Sequence, residues 1–263
     1  MITLDKGTYL GNIVNTAQTD GFIIGITSYC NDSCFQQMHY HENPHISFVL
    51  NGGNVEKRRN SEIERIPGKV TFYRSGEAHQ NIHKQFPASH INIEITQDFL
   101  QQNLITEEEI GWIIEHNTDI KFSILQIYRE QLIDDQQSDA SIQLSLLSLV
   151  SRQNNSGNKK PGWIHILDQL LHDRWRETIT LEELSLAAGV HPITISKHFS
   201  RYFSCTLGEY NRKLKTEKAI ELIKTSKNSL TDIAYQCGFS DQSHFSRTFK
   251  EITGLLPRQY QKL

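Results

Sequence analysis

The chain has 263 residues, of which 37% are hydrophobic and 22% charged, with a net charge of −3. That is long enough for two domains with separate cores. No apolar run approaches the roughly 18–20 residues of a membrane span, and four irregularly placed cysteines do not make a disulfide framework. The opening Met1-Ile2-Thr3-Leu4-Asp5-Lys6 lacks the basic and apolar regions of a signal peptide. A cytoplasmic protein with no membrane partner is therefore expected. The charge is uneven: from Pro161 onward there are 14 Lys+Arg against 11 Asp+Glu, and before it 13 against 19. The acidic stretch repels nucleic acid and the mildly basic one tolerates it.

In chain order, short segments rich in β-branched and aromatic residues come first: Phe22–Thr27, His45–Leu50, Lys69–Tyr73 and His90–Ile95. Turn signals separate them, among them Asn31-Asp32-Ser33, Asn51-Gly52-Gly53-Asn54, Pro67-Gly68 and Ser75-Gly76. Such spacing predicts a β-barrel or jelly roll over residues 1–105. Cys30 and Cys34 flank one of these turns; without the spacing of a zinc finger they read as small apolar residues.

The period then changes. Thr106 with Glu109 makes a capping box, and Ile110, Ile113 and Ile114 follow. Ile120, Ile124, Ile127, Tyr128 and Leu132, then Ile142, Leu146, Leu149 and Val150, keep helical spacing. Residues 106–150 are expected to form helices that support the barrel and to some extent dimerise it. The polar stretch 151–160 reads as a linker. Residues 161–263 are expected to be all helical, opening on an apolar stripe of Trp163, Ile166, Leu167, Leu170 and Leu171.

Within residues 161–263 a single pattern is written twice. Leu181-Glu-Glu-Leu-Ser-Leu-Ala-Ala-Gly189-Val190 leads to Ile195, Phe199 and Tyr210. Leu230-Thr-Asp-Ile-Ala-Tyr-Gln-Cys-Gly238-Phe239 leads to Phe245, Phe249 and Tyr260. Each copy opens on a cap, Thr180 with Glu183 and Ser229 with Asp232. Each reads as helix, glycine turn, helix, the pattern of a helix-turn-helix whose second helix lies in a DNA major groove. The copies span about residues 180–203 and 229–252. Leu214, Ala219, Leu222 and Ile223 predict one helix joining them. Ser240 or Asp241 is positioned to cap the last reading helix. Phe245 and Phe249 share a face that must be core, so Gln242, Ser243, Ser246 and Arg247 occupy the opposite one. Glutamine pairs with adenine and arginine with guanine through two hydrogen bonds each.

The run Ile233 to Lys250, closing with Thr253-Gly254-Leu255-Leu256-Pro257-Arg258-Gln259-Tyr260, closely resembles the signature of the AraC/XylS family of transcription regulators. The resemblance covers roughly Pro161 to Leu263. It implies seven helices in two helix-turn-helix subdomains joined by a rigid helix, reading two successive major-groove segments of double-stranded promoter DNA. Carried over by position, the first motif offers Ile193, Ser196 and Lys197, and the second Gln242, Ser243, Ser246 and Arg247. Ile193 suits a thymine methyl, and Lys197 suits a phosphate. Arg212 and Lys215 on the joining helix read as solvated charges. The first copy departs from the second: its turn is one residue shorter, Ser204 stands for Gly254, and Leu207 stands for Pro257.

Residues 1–105 resemble the cupin-like sensor domain common in that family. His39, His41, His45 and His79 fall where such barrels gather side chains, implying an effector pocket for a small molecule. No cofactor is called for. The same four histidines are the candidates should a divalent metal be held, although His45 stands where metal cupins usually carry glutamate. The family implies a regulator, more often an activator, that works with RNA polymerase, forms a homodimer in some members, and is not an enzyme. Two other readings keep the same DNA-binding domain: a metal-binding cupin enzyme fused to it, and a ligand-independent regulator whose barrel only dimerises.

Overall fold

A computed structural model of the chain describes residues 1–30, 36–133, 135–151 and 161–263. The expected turn Asn31-Asp32-Ser33, Cys34 and nearly all of the expected linker lie outside the described residues. Contacts group the chain into two compact units, the bulk of each being residues 1–153 and 154–252.

Among the described residues the first unit begins with ten strands: β1 (Ile2–Leu4), β2 (Asn12–Thr19), β3 (Phe22–Tyr29), β4 (His39–His41), β5 (His45–Asn51), β6 (Asn54–Arg58), β7 (Ser61–Arg65), β8 (Val70–Tyr73), β9 (His79–His83) and β10 (Ala88–Ile95). They form two five-stranded sheets, ordered β1-β4-β9-β6-β7 and β2-β3-β10-β5-β8. This is the two-sheet β architecture expected for the first half. The four strands read from the sequence are β3, β5, β8 and β10, all in the second sheet. The others are shorter or more polar. β2 is mostly exposed along its length, so no burial pattern marks it.

The strand β10 explains how the unit is layered. Its sequence alternates His90-Ile91-Asn92-Ile93-Glu94-Ile95, and all six residues are buried. Successive side chains of a strand point to opposite faces, so one face carries three isoleucines and the other three polar groups. Polar groups buried on that scale need partners or a ligand. Asn92 Nδ2 donates to Thr27 Oγ1 at 3.1 Å. Glu94 accepts from Asn43 Nδ2 at 2.8 Å and from the backbone of Gly7 at 2.9 Å.

Four helices follow: α1 (Gln97–Asn103), α2 (Glu107–His116), α3 (Ile120–Ile133) and α4 (Ser138–Ser151). The helical segment thus starts before residue 106. Thr96 caps α1 by accepting from Phe99, a cap with no three-residue acidic partner to announce it. The capping box of Thr106 and Glu109 opens α2 as expected. Leu132 does not join the core; it is half exposed, while Ile120, Ile124, Ile127 and Tyr128 are buried. The helix α4 continues through Ser151.

Among the described residues the second unit has seven helices: α5 (Gly162–Asp173), α6 (Leu181–Ala188), α7 (Pro192–Phe203), α8 (Leu207–Thr225), α9 (Leu230–Gln236), α10 (Gln242–Thr253) and α11 (Pro257–Lys262). The buried stripe of α5 is Ile164, Leu167 and Leu171. Ile166, placed in that stripe from the sequence, is 44% exposed. Two residues on a helix are about 200° apart, so choosing Ile164 for the core turns Ile166 outward. Among the described residues no helix is long and apolar enough to cross a membrane.

Candidate nucleic-acid interface and effector pocket

Both helix-turn-helix copies are assembled by the same devices. Thr180 accepts from the Glu183 backbone while Glu183 returns a bond to the Thr180 backbone, which ties down the start of α6. Ser229 and Asp232 repeat this at α9. The Glu183 carboxyl is held below its ordinary range, first by the Thr180 backbone N–H and then by Arg174. Gly189 ends α6 at φ +66° and Gly238 follows α9 at φ +71°. This left-handed region is open to glycine without steric cost.

The turn into the reading helix differs. His191 caps α7, its Nδ1 accepting from the Ile193 backbone at 3.3 Å, with Pro192 in the first turn. At α10 the cap is Asp241, whose Oδ1 accepts from the His244 backbone at 2.7 Å. Of the two caps open from the sequence, Ser240 and Asp241, the carboxylate takes the role. Lys215 is not a solvated charge: its Nζ donates to the Gly238 carbonyl at 2.7 Å, and burial lowers its pKa. The joining helix α8 thereby holds the second turn in place.

The inward faces fix the outward ones. Ile195 and Phe199 of α7 pack into a core with Leu167, Leu171, Leu184, Tyr210 and Leu214. Phe245 and Phe249 of α10 form an aromatic row with Phe239 and Tyr260, ring centres 5.2–5.8 Å apart. Ile193, Ser196 and Lys197 are consequently exposed on α7, and Gln242, Ser243 and Arg247 on α10, with Ser246 half-buried. Ile193 is 68% exposed. Gln242 is steadied by Thr231, whose hydroxyl donates to its Oε1 at 2.8 Å.

The four histidines named from the sequence come together inside the first unit. His39 and His41 lie two apart on β4 and point the same way; both are buried. His79 of β9 pairs directly with His39 across the sheet. His45 enters from the other sheet, opposite Tyr73. Ring centres of His39 and His79 are 4.3 Å apart, and those of His41 and His45 are 4.1 Å apart. Tyr73 stacks on both His45 and His79.

All four imidazoles are held neutral. Burial is the largest cause and mutual repulsion adds to it: His41 falls to about 3 and His79 to about 2. His39 is lowered by burial and His45 well lowered, in the latter case also by its histidine neighbours. The cavity they line also takes in Tyr9, Tyr29, Ser47, Asn81, His90 and Asn92. Those residues were not foreseen. The signal for His90 and Asn92 was the polar alternation of β10, and for Tyr9 there was none, since it lies outside any strand. The cavity volume is only about 20 Å³.

Comparison with known proteins bears most directly on the C-terminal region. Residues 184–263 match a family model described as a helix-turn-helix domain. The HTH-type transcriptional activator RhaS of Escherichia coli O139:H28 (strain E24377A / ETEC) is 23% identical over 238 residues, 84% of this chain and 85% of that protein. Among solved structures, the C-terminal domain of AraT, a response regulator from Geobacillus stearothermophilus, is 24% identical, covering 40% of this chain and 88% of that one at a TM-score of 0.37. ToxT from Vibrio cholerae is 13% identical and covers 92% of this chain and 98% of that one, at a TM-score of 0.39.

Proposed function

We propose that this chain, a DNA-binding transcription regulator homologous to AraC-type regulators, reads two successive major-groove segments of promoter DNA with α7 and α10 and responds to an effector held by the histidines of its β unit. The observation that carries the DNA-reading assignment is the division of faces on the two helices. Ile195 and Phe199 of α7 and Phe245 and Phe249 of α10 are consumed by the core, which leaves Ile193, Ser196 and Lys197 on one and Gln242, Ser243, Ser246 and Arg247 on the other to face the duplex. Arg247 is assigned to guanine, Gln242 to adenine, Ile193 to a thymine methyl and Lys197 to phosphate. The output is activation in contact with RNA polymerase, in the cytoplasm, with the helices after the barrel serving support and homodimerisation. The β unit binds rather than catalyses.

An effector bound in the cavity biases DNA binding by as much as its affinity differs between the states that bind DNA well and poorly. Selection of bound sequences from a random DNA pool by the full chain tests the DNA assignments. Arg247→Ala should relax preference at one base pair by about 1–3 kcal/mol. Lys197→Ala should weaken all sites alike and reduce the salt dependence by roughly one counterion. Unchanged preference in the Arg247 variant removes its assignment as a base reader.

A further inference from the structure

We propose that Thr231 of α9 is a specificity-determining positioning residue: its hydroxyl sets which way round the Gln242 amide of α10 is presented to a base pair. This deepens the base-reading assignment of α10 and rests on it.

The first support is the bond itself. Thr231 Oγ1 donates to Gln242 Oε1 at 2.8 Å, joining residues eleven apart in sequence and on different helices. A threonine inside a helix often donates to the carbonyl four residues back. Thr231 is the second residue of α9, so that carbonyl, on Lys227, lies before the helix. The hydroxyl is used on the reading helix instead.

The second is the rigidity of the donor. The start of α9 is tied by the capping box of Ser229 and Asp232, and Ile233 and Ala234 bury the helix. A β-branched side chain has few rotamers. Gln242 is exposed at the first position of α10. Its amide turns about a last torsion with two roughly equivalent states. The bond to Thr231 separates them.

The third is what the bond leaves free. An amide oxygen has two lone pairs, and the NH2 group two donors. With one lone pair taken by Thr231, one acceptor and two donors remain, in a fixed order. Adenine presents the matching acceptor N7 and donor N6–H side by side in the major groove, whereas guanine presents two acceptors, N7 and O6. A turned amide would place its NH2 group where the oxygen stood, and so suit guanine O6.

The first copy lacks this device. Counting back from the buried Ile195 and Phe245, Pro192 stands where Gln242 does, and proline has no amide side chain to orient. Counting back from Gly189 and Gly238, Glu182 stands where Thr231 does.

The test uses the full chain and the DNA site it selects from a random pool, with each base pair varied in turn. Gln242→Ala should remove an adenine preference at one base pair. Thr231→Val keeps the shape and deletes the hydroxyl. It should lower the adenine-over-guanine preference at that same pair about two- to tenfold, since holding a free glutamine in one orientation costs on that scale. Other positions, the salt dependence and the Tm should match the parent. Thr231→Ser keeps the hydroxyl and should keep the preference. Thr231→Val added to Gln242→Ala should change nothing further. Should the valine variant fail to fold, Thr231→Ala, which also lacks the hydroxyl, takes its place. Parental preference in Thr231→Val, with Gln242→Ala relaxed, overturns the positioning role and leaves Gln242 a base reader. Parental preference in Gln242→Ala removes the base-reading assignment and the proposal with it. Equal weakening at every site in Thr231→Val marks a purely structural role and also overturns the proposal.

Discussion

The helix-turn-helix of α6 and α7 and that of α9 and α10 place their turn glycines alike, with φ +66° at Gly189 and +71° at Gly238. What surrounds the two glycines differs. A Cβ added at Gly189 would meet nothing within 4 Å, whereas one at Gly238 would lie 2.5 Å from the Arg176 carbonyl oxygen. The ends of the reading helices differ the other way. Ser204 takes φ +57° after α7, where Gly254 takes φ +80° after α10. A left-handed residue is a local demand, which serine can meet at some cost. A missing Cβ is a tertiary demand, which only glycine meets. At this turn the second copy is the more tightly packed and so the more constrained in sequence.

The largest effect expected from this contrast is in the aromatic row. Phe249→Ala should cost about 3–5 kcal/mol in urea denaturation, because Phe249 is fully buried between Phe245 and Tyr260. A cost under about 1 kcal/mol would show that the second copy is not tightly packed. The paired glycine variants come next. Gly189→Ala should cost the left-handed strain alone, about 1–2 kcal/mol, and Gly238→Ala should exceed it by about 1–3 kcal/mol of overpacking. Equal costs would mean that the Arg176 backbone gives way freely. Smaller still, Ser204→Gly should stabilise by up to about 1 kcal/mol, readable as a raised denaturation midpoint.

The smallest contrast is in acid. Glu183 and Glu209 in the first half are held below the ordinary 4.5, each first by a backbone N–H at a helix start, and Asp241 in the second is held below 3.8. A carboxyl with a depressed folded pKa contributes stability above its ordinary pKa and loses it as pH falls through the depressed one. Denaturation midpoints of Glu183→Gln and Asp241→Asn should therefore lie below that of the parent near pH 6. They should converge on it as pH falls below 4.5 for the first and below 3.8 for the second. A constant deficit would locate the effect in packing rather than charge.

How much was legible in the sequence follows from how each region carries its information. The capping boxes at Thr106, Thr180 and Ser229, the helical periods, and the positions of Phe245 and Phe249 are written at spacings of three and four residues, within reach of one helix turn. They reappear in the structure where the pattern put them. Ile166, Leu132 and Lys215 were misplaced because a helix's rotation about its axis, and what lies above a half-polar position, depend on neighbours distant in sequence. The His-x-His of β4 likewise announced one shared face by itself.

The interior of the β unit is the opposite case. That β4 pairs with β9, so that His39 meets His79, is a long-range register. Six of the ten strands were too short or too polar to be seen in advance. The sequence alone determined the two-unit order, the helix-turn-helix pair and the exposed residues of its reading helices, because local periodicity encodes them. The tertiary structure decided the size of the cavity, the tautomers of His39 and His79, and the polar lining from Tyr9, His90 and Asn92. Those depend on strand pairing and on which face of each strand the opposing sheet covers, and no short-range pattern records either.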